Sequence, residues 1–338
     1  MSKFKPARGH PRREDIYRRV AGYATLLEAQ FGGLPTPDLL NRVWRKIWFE
    51  EAHNSTAIEG NTLVLKEVEA LLAANKPVGE KQLKDYMEVR GYADAAEWVY
   101  GQARGASHWG EDSLITMTEL RNIHHLAMTP VWDIAPHQYA LPGEEAGGWR
   151  RHNVEPFPDG MTPPDFTMVS ALISDWIKDA NAITREEGSL MERLAASHER
   201  FERIHPFLDG NGRSGRLALN LVLVRLGYPP AVIHFKQRNH YRAGLTAAMN
   251  GNPGPLGEVI ARGVMYSLNQ FLFRLMSHEQ SILPLTALVS EDLSFVALRT
   301  AASRGRLEAL QADDGEWHST QQWVADYRQH RWVRRHSP

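Results

Sequence analysis

The run His205-Pro206-Phe207-Leu208-Asp209-Gly210-Asn211-Gly212-Arg213-Ser214-Gly215-Arg216 concentrates residue types that do chemistry. Arg213 and Arg216 stand three apart at the start of a helical pattern, on one face of its first turn. Cations are unfavourable there, because the helix dipole already places positive charge at that end. Two arginines beside helix-terminal N–H groups and flexible glycines make sense as a site for an anion, phosphate above all. Residues 210–257 add Arg225, Lys236, Arg238 and Arg242 without a single carboxylate. Asp209 would repel phosphates unless a divalent cation stood between, and Mg2+ is bound through one or two carboxylates plus phosphate oxygens. His205 can be neutral near pH 7 and accept a proton from an attacking hydroxyl.

Gly210 to Gly215 also spells GxGxxG, the dinucleotide fingerprint. The context excludes that reading. The segment before it has helical rather than strand periodicity, and no acid for a ribose occurs between Asp209 and Glu258. The bland alternative is a solvated polar turn with a core histidine. In either case Phe207 is expected to point inward and pin the loop.

The elements that must position this loop are mostly helical. Ser189–Ile204 precedes it, and Arg213–Leu226 follows it until Gly227 and Pro229-Pro230 end the helix. Upstream, Thr36 is expected to cap a helix with Pro37 at its first position and Leu39, Leu40, Val43 and Ile47 on its apolar face. Val64–Leu72 continues the pattern, Pro77-Val78-Gly79 breaks it, and Leu83–Tyr100 and Thr116–Met128 resume it. Residues 129–166 hold seven prolines and four glycines, a loop region with one small hairpin around Gly147–Val154. Thr167–Ala182, His240–Asn250 and Leu256–Met276 complete a helical body. His198 is expected to be a packed core histidine. From Leu293 a shorter unit follows, with a helix (Phe295–Arg304), two strands around Asp313-Asp314-Gly315 and a last helix (Thr320–Gln329).

Composition bounds the rest. With 338 residues, 43% of them hydrophobic and 23% charged, the chain reads as an ordinary globular protein of about two domains. Its 39 Lys plus Arg against 40 Asp plus Glu leave a net charge of −1, so any basic site must be local. The absence of cysteine excludes disulfides, thiolate catalysis, thiolate zinc sites and Fe–S clusters. Met1–Arg13 is basic without an apolar run, and no stretch of about 18 apolar residues occurs, so a cytoplasmic protein with no membrane partner is expected.

His205–Arg216 fits in full the motif HxFx(D/E)GN(G/K)RxxR, and here the chain resembles the Fic-domain proteins over roughly residues 40–275. The resemblance implies transfer of AMP from ATP to a Ser, Thr or Tyr hydroxyl of a protein. His205 would be the general base, and Asp209 would hold Mg2+ on the α and β phosphates. Asn211 and the backbone of Gly210 and Gly212 would cradle the phosphates, Arg213 the β or γ phosphate, and Arg216 the γ phosphate. Gly147–Val154 falls where the family has a β-hairpin flap aligning an extended target segment, with Gly148, Trp149, Arg150, Asn153 and Val154 as its residues. Tyr241 lies where an aromatic helps form the adenine pocket, with core packing as the alternative. The intact Gly210-Asn211-Gly212 favours AMP transfer over the phosphate transfer of relatives that depart from that glycine pattern.

Ser55-Thr56-Ala57-Ile58-Glu59-Gly60-Asn61 matches the family's (S/T)xxxE(G/N) pattern. Ser55 and Glu59 are i,i+4 neighbours, and Gly60-Asn61 would end a helix presenting Glu59 at its C-terminus, where a carboxylate needs a cation. The resemblance implies that this cation is Arg216, and that the pair blocks seating of the γ phosphate. In some relatives the same glutamate helps a water remove AMP again.

The C-terminal unit resembles a small helix-turn-helix or excisionase-like winged module, and Arg328, Arg331, Arg334 and Arg335 follow with no acid. The expected fold is mainly α: a Fic-type helical bundle with a small β-hairpin flap, followed by a winged-helix or helix-turn-helix-like domain. The expected domains are a basic arm (1–14), an N-terminal helical region with an inhibitory helix at 55–60 (15–110), a catalytic core (111–276), a linker (277–292) and the C-terminal module (293–338). The partners implied are a protein with an acceptor hydroxyl, this chain itself, a second copy, and DNA. The alternative to the transferase is a nucleotide-sensing, DNA-binding transcriptional regulator.

Overall fold

The capping box that opens one central helix shows how local signals set this fold. Thr116 accepts from the Glu119 N–H and the Glu119 side chain returns to the Thr116 N–H, so two orphan donors are met at once. Arg225 then pairs with the same Glu119 at 2.6 Å, tying the end of a second helix to the head of the first. The computed structural model describes residues 11–74, 77, 79–103, 113–155, 161–185, 189–279 and 281–330. Most of the expected basic arm, part of the Pro77-Val78-Gly79 break, and Arg331, Arg334 and Arg335 lie outside these.

The helices run α1 (Arg13–Phe31), α2 (Asn41–Ile58), α3 (Leu65–Ala74), α4 (Leu83–Tyr100), α5 (Met117–Trp132), α6 (Val169–Asn181), α7 (Leu190–Ile204), α8 (Asn211–Arg225), α9 (Arg238–Met249) and α10 (Gly254–His278). β1 (Leu283–Pro284), α11 (Phe295–Ser303), β2 (Leu310–Gln311), β3 (Trp317–Ser319) and α12 (Gln321–His330) follow. The fold is mainly helical, and no helix among the described residues is long and apolar enough to cross a membrane.

Two compact units divide the chain. The larger spans Ala24–Ser267. Its centre is α8, buried at every position from Arg213 to Val224 and packed by α4, α5 and α7. A helix buried all round has no polar face to lose, so its polar residues must find partners inside. Asn220 does so with Glu51 and the Ala231 N–H.

The smaller unit joins residues up to Tyr23 with residues from 268 onward. Its sheet is antiparallel in the order β1-β3-β2, with Leu283 opposite Ser319 and Leu310 opposite His318. Leu285, Leu288, Leu293, Leu298, Leu307 and Val324 form its core. Part of the segment expected to be a linker is therefore built into this unit, through β1 and the buried Leu285 and Leu288.

Two local expectations differ from the structure. Thr36–Leu40 is a turn, with the Leu39 and Leu40 N–H groups on the Thr36 carbonyl, and α2 begins only at Asn41. Trp44 Nε1 reaches back to the Pro35 carbonyl at 2.9 Å, which fixes this entry and leaves Leu39 exposed rather than on an apolar face. The hairpin expected at Gly147–Val154 is not formed, because its backbone groups are engaged elsewhere. The Gly147 N–H donates to His124, the Arg150 N–H to Pro206, and the Arg151 N–H to Glu144.

Candidate active site

Helix α7 ends at Ile204, and His205 turns the chain in the left-handed region at φ 50, ψ 61. Among the described residues it is the one non-glycine with positive φ. Such a conformation costs on the order of 1–3 kcal/mol and persists only where its surroundings hold it. The His205 Nδ1 faces the Glu202 carbonyl at 3.2 Å. A carbonyl can only accept, so Nδ1 carries the proton and the basic lone pair is on Nε2.

The loop beyond is stapled from within. Asn211 gives Nδ2 to the Phe207 carbonyl at 2.8 Å and takes the Phe207 N–H on Oδ1 at 2.9 Å. Its amide therefore shapes the loop. Phe207 is fully buried and stacks on His124 at 3.6 Å and against Trp149 at 4.8 Å. His124 accepts the Gly147 N–H on Nδ1, so its Nε2–H donates to the Asp209 carbonyl at 2.9 Å. Burial holds that imidazole neutral, its pKa lowered to about 3. Gly210, at φ 78, makes the turn into α8, and a Cβ there would meet the Met128 sulfur at 2.5 Å.

The charged groups converge on the head of α8. Asp209 uses Oδ1 for both the Gly210 N–H at 2.6 Å and Arg213 at 3.3 Å, and its side chain is 42% exposed. Arg213 is buried, with Glu88 at 3.8 Å, and among the described residues its Nε and Nη1 lack hydrogen-bond partners. Buried guanidinium donors left in this state are what an incoming anion would satisfy. Arg216, also buried, meets Glu59 at 2.7 Å, Ser55 Oγ at 2.7 Å and the Ser55 carbonyl at 3.0 Å. Burial disfavours that cation, but the Glu59 carboxylate together with Tyr241, Tyr92 and Glu202 outweighs the burial and pushes the Arg216 pKa up. Glu59 lies close against the backbone it faces: a Cβ on Gly212 would stand 2.3 Å from Glu59 Oε1. A carboxylate thus occupies the N-terminal end of α8, where helix geometry favours an anion.

Several residues behind this front are not signalled by the motif. Glu51 is buried among Tyr92, Tyr100 and Asn220, and burial raises its pKa to about 7. Glu202 is likewise pushed up to about 8 by burial, and its Oε1 has no hydrogen-bond partner. The available signal was spacing: Glu51, Ser55 and Glu59 recur every four residues, one face of α2 turned toward Arg216 and Asn220.

Other expected site residues sit elsewhere. Tyr241 is buried, its hydroxyl on His198 at 2.7 Å and its ring 5.8 Å from the Arg216 guanidinium. Arg225 stands at the far end of α8, roughly 20 Å from its head, and serves Glu119. Asn153 pins its segment to Asp165 and the Phe166 N–H, Val154 is half-buried, and Gly148 takes part in a turn with Glu145. Arg150 is buried and turned toward the loop, not outward to a target.

Burial lowers the His205 pKa to about 4. Its unfolded value near 6.5 means that, between about pH 4 and 6.5, the unfolded chain binds more protons. This histidine therefore withdraws stability as pH falls through that window. A histidine-labelled NMR titration should place the His205 midpoint well below 6.5; a midpoint at or above 6.5 contradicts the buried neutral ring.

With this geometry in place, residues 114–223 match the Fic/DOC family. Over 280 residues the chain is 27% identical to a Caenorhabditis elegans protein named protein adenylyltransferase fic-1, covering 82% of this chain and 51% of that one. It is 29% identical over 246 residues to the Nematostella vectensis protein adenylyltransferase Fic, covering 71% and 52%. Among solved structures, Fic-1 from C. elegans shares the fold at a TM-score of 0.63 and 24% identity, over 79% of this chain and 73% of that chain. The chain spans about half the length of the curated relatives it matches.

Proposed function

On the footing that residues 114–223 belong to the Fic/DOC family, we propose that this chain is a protein adenylyltransferase restrained by Glu59. The reading is carried by one observation: an internal carboxylate pairs with the buried Arg216 at 2.7 Å and lies on the helix N-terminus that would receive phosphate. In the proposed reaction a protein hydroxyl, this chain's own included, gives its proton to Nε2 of His205. The hydroxyl oxygen bonds to the α-phosphorus of ATP as the bond to the bridging oxygen breaks, releasing pyrophosphate. The head of α8 and Arg213 would hold the phosphates through the transition state, where positioning and charge stabilisation do most of the catalysis.

Asp209 would hold a Mg2+ ion jointly with phosphate oxygens. A partly exposed single carboxylate, with both its hydrogen bonds on Oδ1, suits an ion that completes its shell with phosphate and water. When bound, the ion would neutralise charge on the departing pyrophosphate. ATP labelled at the α phosphate, incubated with the chain, Mg2+ and a lysate, tests the reading. Protein-bound label is expected from the α position. Label from the γ position alone would make the protein a phosphate-transferring relative, and loss of AMP from modified protein would reveal the reverse activity.

A second reading concerns the smaller unit. Helix α11 precedes the β2–β3 hairpin, Arg299, Arg304 and Arg306 are exposed, and no carboxylate occurs from Leu293 to Arg306. This supports binding of duplex DNA. Removing the C-terminal residues would also strip partners from Tyr23, so substitutions in the full chain are the better test. Arg299→Glu with Arg304→Glu should weaken binding and flatten its salt dependence by about two counterions. A wild type that shows no salt-sensitive binding sinks this reading.

A further inference from the structure

Arg150 is among the largest fully buried side chains of the protein. Burying a guanidinium costs several kcal/mol unless its donors are met. Here, among the described residues, no carboxylate forms an ion pair with it; Asp165 and Glu144 act on it only from farther off. Its donors go to main-chain carbonyls instead. Nε donates to His205 O at 2.8 Å, Nη1 to His152 O at 3.1 Å, and Nη2 to Pro164 O at 2.5 Å. Its own backbone N–H donates to Pro206 O at 3.0 Å.

Two consecutive carbonyls, those of His205 and Pro206, are thus fixed by one residue. The first belongs to the peptide that leaves His205 and the second to the peptide after it, and the left-handed conformation of His205 has to be held by something. The same guanidinium grips a carbonyl near each end of residues 152–164. Lysine could not do this, because an ammonium lacks the rigid planar fork that reaches three acceptors in fixed directions.

We propose that Arg150 is a positioning residue that holds the His205 peptide in its left-handed form and couples it to the His152 and Pro164 carbonyls. The imidazole is then aligned only when both of those carbonyls are in place. This inference rests on the reading of His205 as general base, and it goes beyond it in assigning what orients that base.

The test uses the full chain carrying Glu59→Gly, alone and with Arg150→Met or Arg150→Lys. A misalignment of about 1 Å is worth on the order of a hundredfold in rate, so kcat for AMP transfer should fall about a hundredfold in the methionine variant. KM for ATP and calorimetric nucleotide binding should stay within about twofold, because the head of α8 is untouched. Lysine keeps the charge and much of the volume, and should restore folding without restoring kcat. The His205 Cα and carbonyl NMR shifts, which report backbone conformation, should move in both variants. Unchanged kcat together with unchanged His205 shifts overturns the proposal, as does a kcat loss fully matched by lost nucleotide binding. If the Glu59→Gly parent itself transfers no AMP, the transferase reading fails, and the His205 shifts in the lysine variant alone decide the positioning role.

Discussion

His205→Ala, placed in a chain whose Glu59 is already glycine, should lower AMP transfer by about a thousandfold. The expectation follows from three features of one side chain. Burial keeps its pKa near 4, so the ring is neutral and able to accept a proton at pH 7. The Glu202 carbonyl fixes the tautomer with the proton on Nδ1 and the lone pair on Nε2. The residue ends α7 at the mouth of the loop that precedes Asp209 and Arg213. Alanine removes the acceptor while leaving the α8 head and both arginines in place. Nucleotide binding measured by calorimetry should therefore change by no more than about threefold, and the loss should be in kcat. Residual transfer within about tenfold of the parent would show that another group takes the proton.

Glu59→Gly alone should raise AMP transfer by about ten- to a hundredfold, the range of a coupling of 1–3 kcal/mol. The partners in the pair are unequal. Arg216 is buried and anchored also by Ser55, whereas the Glu59 side chain is 38% exposed and stands one residue past the end of α2. Arg216 is therefore the fixed partner and Glu59 the one that can leave. In the proposed reading the phosphates of ATP would compete with this carboxylate for the same cation and the same helix end, so deletion of the carboxylate would remove an internal competitor. Stability should move the other way. Without nucleotide the buried Arg216 loses its nearest anion, a penalty of about 1–2 kcal/mol after allowing for the exposure of Glu59. Added ATP should recover it by binding only the folded form. Thermal unfolding with and without ATP checks this directly, and a Glu59→Gly chain no more active than wild type would refute the brake.

What could be read from the sequence was what short-range chemistry encodes. The helical pattern from Thr116, the helical periods on either side of His205 and the glycines at 210 and 212 are local, and the helices found there match the expected ones closely. Glu59 and Arg216 were legible as residues with complementary problems, a carboxylate at a helix end and a cation at a helix start. The rest depended on contacts across long separations. Arg150 has no distinguishing neighbour in sequence, and its meaning comes from a carbonyl 55 residues away. Glu51 and Glu202 look like ordinary solvated helix glutamates until α8 is placed against them. The hairpin expected at 147–154 lost to tertiary bonds from His124, Pro206 and Glu144, which no alternation of residue types records. The loop staple made by Asn211 and the bond of Tyr241 to His198 likewise depend on the folded chain.

Tyr23 gives its hydroxyl to the Ala309 carbonyl 286 residues further on, and its ring stacks on Trp323 at 6.3 Å. At typical ribosomal speeds of 5–20 residues per second, α1 emerges roughly 15–60 s before these partners exist. For that interval the nascent chain must keep the Tyr23 side of α1 unmatched while the larger unit is being made. Completion of the smaller unit is therefore a late, non-local closure, of the kind that slows folding and offers work to chaperones. Only a polypeptide translated past residue 309 can make the contact between Tyr23 and Ala309.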